Sequence, residues 1–288
     1  MVKKISYILY LFLKILDDIF KFFFKRNFLF LFKEFLDKDS YQSIKILNKN
    51  INFYSPNQTI DWRIKSFFTK EPETLEWIDS FDNSDKFVLW DIGANIGLYS
   101  IYAALKHNNC EIVSFEPSTS NLRTLSRNIS INNLENKIKI FTNPLSNKTD
   151  SFLKMKESNF LEGGALNSFG ESFNFEGKNF KSKMNYQLLG KSINSILDNK
   201  ILQVPNYIKI DVDGIEHLIL EGGDKYLKHE NLLSLSVEIN ENFTDQYEKV
   251  LKIMKESGFK ILHKKHNEEM YKGRVSLYSN CYNYIFVR

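Results

Sequence analysis

The hydrophobic pattern of the chain changes at residue 87. From there on, short apolar runs alternate with helical segments, which is typical of a parallel α/β sheet. Strands are predicted at 87–91, 111–115, 137–141, 207–211, 233–238, 260–263 and 283–287. Helices are predicted at 98–105, 121–131, 215–221 and 243–257. The first five strands each end at a residue that could carry function.

Ahead of residue 87 the pattern is less regular. Residues 37–85 are polar and mixed, with a turn at 55–57 and a short predicted helix at 71–81. We therefore divide the chain into an aromatic, basic, helical extension with a linker at 1–70 and a folded domain at 71–288.

An insertion at 151–190 interrupts the α/β pattern. It is rich in glycine, asparagine and serine and has weak periodicity, so we expect a long, poorly regular segment. Because it follows the third predicted strand, it should lie at the end of the sheet that carries the carboxyl ends of the strands. We predict a lid over the substrate, with a hairpin excursion that has no catalytic role as the alternative.

Residues 5–35 are rich in Phe, Leu and Ile, but charges interrupt them before roughly 20 apolar residues accumulate, so no membrane-spanning helix is predicted. No small-residue cleavage site follows, which argues against a cleaved signal peptide. Five charged residues recur at helical intervals and predict one narrow polar stripe: Lys14, Asp17, Asp18, Lys21 and Lys25. The broad apolar remainder needs a cover. It could pack on the domain or a second subunit, or it could lie in a membrane interface with its basic residues at anionic headgroups.

Charge is distributed unevenly. Residues 1–36 hold seven Lys or Arg and three acids, a balance of +4 that equals the net charge of the whole chain. The neutral remainder argues against a nucleic-acid partner, because phosphate binding usually needs a concentrated basic face. The two cysteines, Cys110 and Cys281, form no CxxC or Cys/His cluster. We therefore predict a cytoplasmic protein. If residues 1–36 bind lipid, it would lie at the inner face of the membrane. The sequence does not indicate an oligomeric state.

The first strand runs into a glycine-bearing turn and then a helix. Gly93 and Gly97 would let the backbone turn tightly and approach a ligand closely. The turn leads into a helix N-terminus, which favours an anionic or carboxylate group. Asp91 is predicted to end the strand with its carboxylate pointing into the crevice.

Glu116 ends the second predicted strand, about 20–25 residues beyond the glycine turn, where an acid can accept hydrogen bonds from the ribose hydroxyls of an adenosine cofactor. An NAD-type oxidoreductase is the alternative use of this geometry. Its fingerprint needs glycines where this chain has Asn95 and Leu98. A side chain at Asn95 obstructs a pyrophosphate but suits a cofactor without phosphate, which favours S-adenosylmethionine.

Three blocks of the chain, at 91–100, 115–118 and 208–216, resemble the signature blocks of the FkbM family of methyltransferases. Their order matches, as does the segment at 143–146, and the resemblance spans roughly 85–240. It implies a Rossmann-like class I methyltransferase fold, that is, a mostly parallel seven-stranded sheet with helices on both faces, here with the N-terminal helical extension. It also implies S-adenosyl-L-methionine as cofactor, with Asn143 joining the residues that bind it.

The resemblance further implies that the acceptor is a hydroxyl oxygen on a sugar, glycan, glycolipid or other natural product. The chain departs from the family pattern twice. Asp213 stands where the family commonly has Glu, which is chemically mild. Ile193-Asn194 stands where the family often has Leu-Asp, so a role for that position is doubtful here.

Methyl transfer to a hydroxyl needs an aligned acceptor and help with removal of its proton. We predict that Asp211, Asp213 and Glu216 carry this chemistry, because they follow the fourth strand at the ligand-binding end of the sheet. Glu216 could instead be a helix-start acid that stabilises the helix dipole, and His217 a packing residue. Asp211 with Glu238 could bind a divalent cation such as Mg²⁺, but no third ligand is identifiable and we predict no metal. A non-catalytic binding module on a degenerate methyltransferase fold is the remaining alternative.

Overall fold

A computed structural model describes residues 1–82, 84–179, 181–266 and 278–288. The strands of the described residues are β1 (Tyr41–Ile46), β2 (Lys49–Tyr54), β3 (Phe87–Ile92), β4 (Cys110–Phe115), β5 (Ile138–Phe141), β6 (Ser151–Glu157), β7 (Ser168–Phe169), β8 (Met184–Gly190), β9 (Tyr207–Ile210), β10 (Ser234–Asn240), β11 (Lys260–Lys265) and β12 (Cys281–Val287). The helices are α1 (Val2–Phe24), α2 (Phe28–Asp39), α3 (Gln58–Lys65), α4 (Phe67–Lys70), α5 (Pro72–Asp79), α6 (Leu98–Lys106), α7 (Thr119–Ile131), α8 (Ile193–Asp198), α9 (Glu216–Glu221) and α10 (Thr244–Glu256), with a 3-10 turn at Tyr226–Lys228.

The central sheet has seven strands in the order β11-β12-β10-β9-β3-β4-β5. The strands from β10 to β5 run parallel, and β12 is antiparallel to both of its neighbours. Each predicted strand of the α/β region overlaps an observed one, because near-continuous apolar runs are what strands buried on both faces require. The predicted Rossmann-like class I fold is confirmed, and its order makes β3 and β9 direct neighbours.

Side chains of the sheet alternate between two apolar cores. Leu89 of β3 packs into the core beneath α3 to α7, whereas the next residue, Trp90, packs into the core beneath α8, α9 and α10. Both residues are about fully buried, at 1% and 0% exposure. Helices therefore cover both faces of the sheet, and every second residue of a strand reaches the same layer.

Residues 41–70, expected to be a linker, are part of the folded domain. Strands β1 and β2 form a hairpin, and Ile46 and Phe53 are completely buried in the core beneath α3 to α7. Asn128 of α7 accepts a hydrogen bond from the Tyr54 amide at 2.8 Å. The hairpin turn uses Leu47 and Asn48, both at positive φ, instead of the Asn-Gly pair that would have marked it in the sequence.

The insertion at 151–190 is more regular than we predicted. Strands β6 and β8 pair antiparallel from Ser151↔Gly190 to Glu157↔Met184, and β7 joins the other edge of β6. Alternation along β6 is obscured at its ends, because Phe152 is exposed and Glu157 is buried, and the sequence therefore reads as irregular. The excursion between β6 and β8 returns to the central sheet near its ligand-binding end.

The N-terminal extension is two helices rather than one. Lys25 adopts a left-handed conformation and ends α1. Asp17, which we placed in an exposed polar stripe, is only 5% exposed. Its carboxylate accepts hydrogen bonds from the Asn27 side chain at 2.7 Å and from the Leu29 amide at 3.1 Å, because the start of α2 has free backbone donors. Within the described residues, no helix combines the length and apolarity that a membrane crossing would need.

Candidate cofactor and acceptor site

The glycine turn brings two strand ends into backbone contact. Gly93 has a φ of +88°, and a Cβ atom placed on it would lie 1.9 Å from the carbonyl oxygen of Asp211. The amides of Gly93 and Ala94 both donate to the Phe115 carbonyl at 3.0 Å. Gly97 begins α6 with a φ of +87°. Only glycine fits at the first position, because β3 and β9 leave no room for a side chain there.

Glu116 is fixed by the same turn. Its carboxylate accepts hydrogen bonds from the Asn95 and Ser118 amides, each at 2.8 Å. The side chain is 4% exposed, and burial raises the pKa of Glu116 to about 8 against the lowering effect of these amides. A carboxylate oxygen can accept more than one hydrogen bond, so this fixed side chain still has acceptor capacity toward the cleft that it lines.

Asp91 does not point into the crevice as predicted. It is 1% exposed beneath the turn, where the Ser100 hydroxyl donates to its Oδ2 at 2.6 Å. Odd-numbered positions of β3 face α6, which explains the placement. Its Oδ1 has no hydrogen-bond partner among the described residues, and burial raises the pKa of Asp91.

A cleft with about 600 Å³ of empty space opens beside Glu116. Its apolar wall includes Leu145, Met155 and Phe169. Asn143 lines it as predicted, although its side-chain amide donates to the Leu189 carbonyl at 2.9 Å and so also braces β8.

The insertion closes over this cleft. The Gly164 carbonyl accepts hydrogen bonds from the side chains of Asn95 at 2.8 Å and Asn121 at 3.2 Å. The Gly163 amide donates to Asn121 at 2.9 Å. Residues of the insertion line the cleft together with the glycine turn, which is the placement that a lid requires.

Two of the three predicted catalytic acids brace the backbone. Asp213 accepts hydrogen bonds from the amides of Leu166 at 2.7 Å and Asn167 at 3.3 Å, and burial raises the pKa of Asp213 to about 6. Glu216 is 1% exposed and binds the Val212 and Gly214 amides.

Burial raises the pKa of Glu216 to about 7. Gln246 donates a further hydrogen bond to its carboxylate. We correct its predicted catalytic role to a positioning one, since its contacts hold the turn after β9 and join it to α10. His217 is 2% exposed and packs between the rings of Phe173 and Phe243, as the alternative for it proposed.

Asp211 belongs to a row of charged groups. Lys209, 3% exposed, lies 2.9 Å from Asp211 Oδ2. In the parallel register Lys209 also lies beside Asp91. Burial acts to raise the pKa of Asp211, but Lys209 and then Lys70 outweigh it and hold that pKa at about 2. Asp211 is therefore an ionised, ion-paired carboxylate and a weak base.

Glu238 extends this row by one strand. Val237 pairs with Ile210, so the residues that follow them, Glu238 and Asp211, are adjacent. Burial raises the pKa of Glu238 well above its usual value, and the negative charges of Asp211 and Glu71 raise it further. The two neighbouring carboxyl groups thus have opposite pKa shifts, which is the arrangement that separates an orienting group from a proton acceptor.

Two charged residues that were not predicted, Lys70 at the end of α4 and Glu71 directly after it, also lie near Asp211 and Glu238. Lys70 pairs with Glu71, and the Tyr99 hydroxyl donates to Glu71 at 2.9 Å. Arg63 binds the Gly163 carbonyl through Nε at 2.7 Å. A lysine and a glutamate in a polar stretch gave no local signal, because only the folding of α3 and α4 onto the sheet buries them.

A second cleft, with about 450 Å³ of empty space, lies between these helices and the glycine turn. Arg63, Lys70 and Tyr99 line it. It shares Gly93, Asn95 and Asp211 with the first cleft. The two spaces therefore meet at the carboxyl ends of β3 and β9.

The described residues include no group of three or more His, Cys, Asp or Glu side chains that could hold a metal ion. Asp211 already faces the Lys209 ammonium, and the predicted pairing with Glu238 has no third ligand there. The Asn95 Oδ1 atom has no hydrogen-bond partner among the described residues and lines the cleft, so it fits a cofactor that carries hydrogen-bond donors.

The family and the relative that the sequence matches are both methyltransferases. Residues 91–261, more than half of the chain, match the model of the methyltransferase FkbM domain. The methyltransferase sdnD of Sordaria araneosa is 29% identical over 163 residues, which are 49% of this chain and 62% of that protein. The match therefore spans less than two thirds of the relative.

Two solved structures are similar at lower identity. The methyltransferase FkbM of Methylobacillus flagellatus is 15% identical with a TM-score of 0.45, covering 73% of this chain and 45% of its own. A Streptococcus pneumoniae protein named for tRNA (m1A22) methylation, solved with S-adenosyl-L-methionine, is 15% identical with a TM-score of 0.40, covering 75% and 72%. At these scores the likeness supports no argument about activity.

Proposed function

As the chain belongs to the FkbM methyltransferase family, we propose that it is an S-adenosylmethionine-dependent methyltransferase that acts on a hydroxyl oxygen of a sugar, glycan, glycolipid or other natural product. The observation that carries the proposal is the meeting of two clefts at Asp211, one beside Glu116 and one beneath α3 and α4. Such an arrangement lets a cofactor and an acceptor approach each other from separate sides. The choice of a sugar rests on family resemblance alone, since the fold supplies the cofactor site and variable segments select the acceptor.

The cofactor, when bound, supplies an electrophilic methyl group on a sulfonium. Glu116 would bind the ribose hydroxyls, and Asn95 would offer its free Oδ1 to a donor in the first cleft. Asn95 also stands where a dinucleotide site needs glycine, which disfavours the NAD-type alternative. Residues 163–168 of the insertion would exclude water from the first cleft.

Asp211 would orient the acceptor hydroxyl, because its carboxylate stays ionised and faces both clefts. Its low pKa makes it a poor proton acceptor. Glu238, beside it on β10, has the raised pKa that a general base needs and would take the hydroxyl proton. From the sequence, Glu238 was a candidate only as a metal ligand.

Replacing Glu116 by Ala should weaken binding of S-adenosylmethionine by roughly 1–3 kcal/mol, the scale of leaving a buried polar group without its hydrogen-bond partner. Isothermal titration calorimetry measures this directly. The exposed acid Glu135, changed to Ala, is the matched control and should bind like the unmodified protein. Tight NAD binding with no response to S-adenosylmethionine would contradict the proposed cofactor.

Replacing Glu238 by Gln should lower kcat by about a hundredfold, the usual scale of general-base loss. In the unmodified protein the rate should rise with pH, since Glu238 must lose its proton to act and its pKa is raised. The variant should lose this rise. Glu73, another buried carboxyl with a raised pKa, is the control, and its change to Gln should leave the pH profile intact. A rate that falls with rising pH would rule out the proposed base.

The acceptor can be identified by mass spectrometry of polysaccharide and lipid from cells with the active protein and cells with Asp211→Asn. We expect one additional methyl on a sugar hydroxyl in the first sample only. A methyl on a nucleobase or a protein nitrogen would refute the hydroxyl acceptor and leave the cofactor assignment standing. If labelled S-adenosylmethionine transfers no methyl to any cell-extract fraction, the chain is a non-catalytic binding module instead.

A further inference from the structure

The helix α1 carries a continuous apolar face that nothing in the described structure covers. Ten large residues form this face, each at least 38% exposed: Ile5, Ile8, Leu9, Leu11, Phe12, Ile15, Leu16, Ile19, Phe22 and Phe23. At about 100° per residue they occupy one arc of roughly 160°, in which Lys4 of the first turn is the only charged residue of α1. Contiguous exposed patches of this kind mark an interaction site rather than ordinary surface.

The fold holds this face away from the domain. The Asp17 carboxylate ties the end of α1 to the first turn of α2, and the Phe20 and Phe28 rings meet edge to face. Helix α2 is in turn tied to the domain by Asp37, which pairs with Arg127 at 2.9 Å. The apolar arc faces neither α2 nor the domain, so the expected packing of α1 on the domain does not cover it.

Charge identifies what could cover the face. On the opposite side of α1, the helical positions of Lys3, Lys14, Lys21 and Lys25 fall within roughly 40° of one another. Residues 1–36 carry the entire +4 of the chain. A second copy would bring another +4 against this one, whereas an anionic bilayer would attract it. We propose that α1 lies in the interface of an anionic membrane, with its apolar face toward the acyl chains and its lysine side at the headgroups.

This geometry suits an interfacial helix. At 23 residues α1 is about 35 Å long. It has a wide apolar arc and a narrow basic one, as interfacial helices do. Lysine stems can extend along the apolar surface while their ammonium groups stay in water. The domain would then be held at the membrane surface, and this inference holds whatever the acceptor is.

The test uses the full-length protein and vesicles of phosphatidylcholine with roughly one third phosphatidylglycerol, beside vesicles of phosphatidylcholine alone. Co-sedimentation should favour the anionic vesicles. Removing the apolar face with the substitutions Ile8→Asn, Ile15→Asn and Ile19→Asn should reduce binding more than about tenfold. The unfolding temperature should stay unchanged, because these side chains are exposed in the folded protein.

A matched pair of variants tests how much the lysines of α1 contribute to membrane binding. One variant removes three helix lysines, Lys14→Gln, Lys21→Gln and Lys25→Gln. The control removes three exposed lysines of the domain, Lys45→Gln, Lys154→Gln and Lys255→Gln. Binding to anionic vesicles should fall more than about tenfold for the first variant only.

Equal sedimentation of the apolar-face variant and the unmodified protein would overturn the proposal, as would equal losses for the two lysine variants. A lipid-free dimer in light scattering that the apolar-face variant converts to monomer, with no vesicle capture, would assign the face to a second copy instead.

Discussion

Gly93→Ala should destabilise the protein by at least about 4 kcal/mol, a loss that only a specific structural conflict produces. The added Cβ would lie 1.9 Å from the carbonyl oxygen of Asp211. Gly93 and Asp211 directly follow the paired strands β3 and β9, and the Asp211 amide donates to the Ile92 carbonyl at 3.0 Å, so neither can move without opening the end of this ladder. Urea unfolding measures the loss, and S-adenosylmethionine binding should vanish with it.

Gly258→Ala is the matched control for this substitution. Gly258 has nearly the same φ, +87°, but a Cβ there would meet no atom within 4 Å. It should therefore show only the cost of a left-handed alanine, roughly 1–2 kcal/mol. If both substitutions cost the same, the backbone contact at Gly93 is not what requires glycine.

Lys209→Met should destabilise the protein by about 3–5 kcal/mol, because it removes the nearest cation from the buried Asp211 carboxylate. Lys209 is 3% exposed, lies 2.9 Å from Asp211 and faces Asp91 across the strand pair. Methionine keeps most of the side-chain volume, so the loss reports charge rather than packing. Activity should fall as well, since Asp211 would no longer be held ionised.

The pH dependence distinguishes this cause from a general loss of packing. Asp211 has a folded pKa of about 2, below the ordinary aspartate pKa of 3.8, so its stabilising effect is present above pH 3.8 and disappears as pH falls toward 2. The difference between the unmodified protein and Lys209→Met should thus be largest near neutral pH and shrink in acid.

A control substitution is available at an exposed pair. Lys252 lies 4.0 Å from Glu256, and both side chains are more than 60% exposed. Lys252→Met should lower the free energy of unfolding by less than about 1 kcal/mol at every pH. A pH-independent loss for Lys209→Met would show that packing, not charge, explains the effect.

Local sequence was sufficient for the sheet and for half of the site. Strands buried on both faces need continuous apolar runs, so β3, β4 and β9 could be recognised without their neighbours. The glycine turn and Glu116 were likewise predictable, because a tight turn and a strand-end acid are set by residues close together in the chain. In the structure, the amides of Asn95 and Ser118 hold Glu116 at the cleft.

The other features of the candidate site depend on contacts between residues that are distant in the chain. Asp213 and Glu216 have the same local setting as Asp211, yet their carboxylates bind amides of the insertion and of the turn. Nothing near Lys70 marked it as a neighbour of Asp211, and Glu238 was paired with Asp211 only as an alternative metal ligand. Strand order places Glu238 beside it, and α4 brings Lys70 above it, so their pKa values depend on contacts that exist only after folding.

For the N-terminal extension, too, some features follow from the local sequence and others only from the tertiary structure. The sequence by itself determined that residues 1–36 are helical, basic and broadly apolar, since helical periodicity is a local property. Only the tertiary structure decided that Asp17 turns inward to bind the start of α2 while the apolar face stays uncovered. The reason is physical: an apolar pattern requires burial but does not name its partner, and the partner is set by how the elements pack in space.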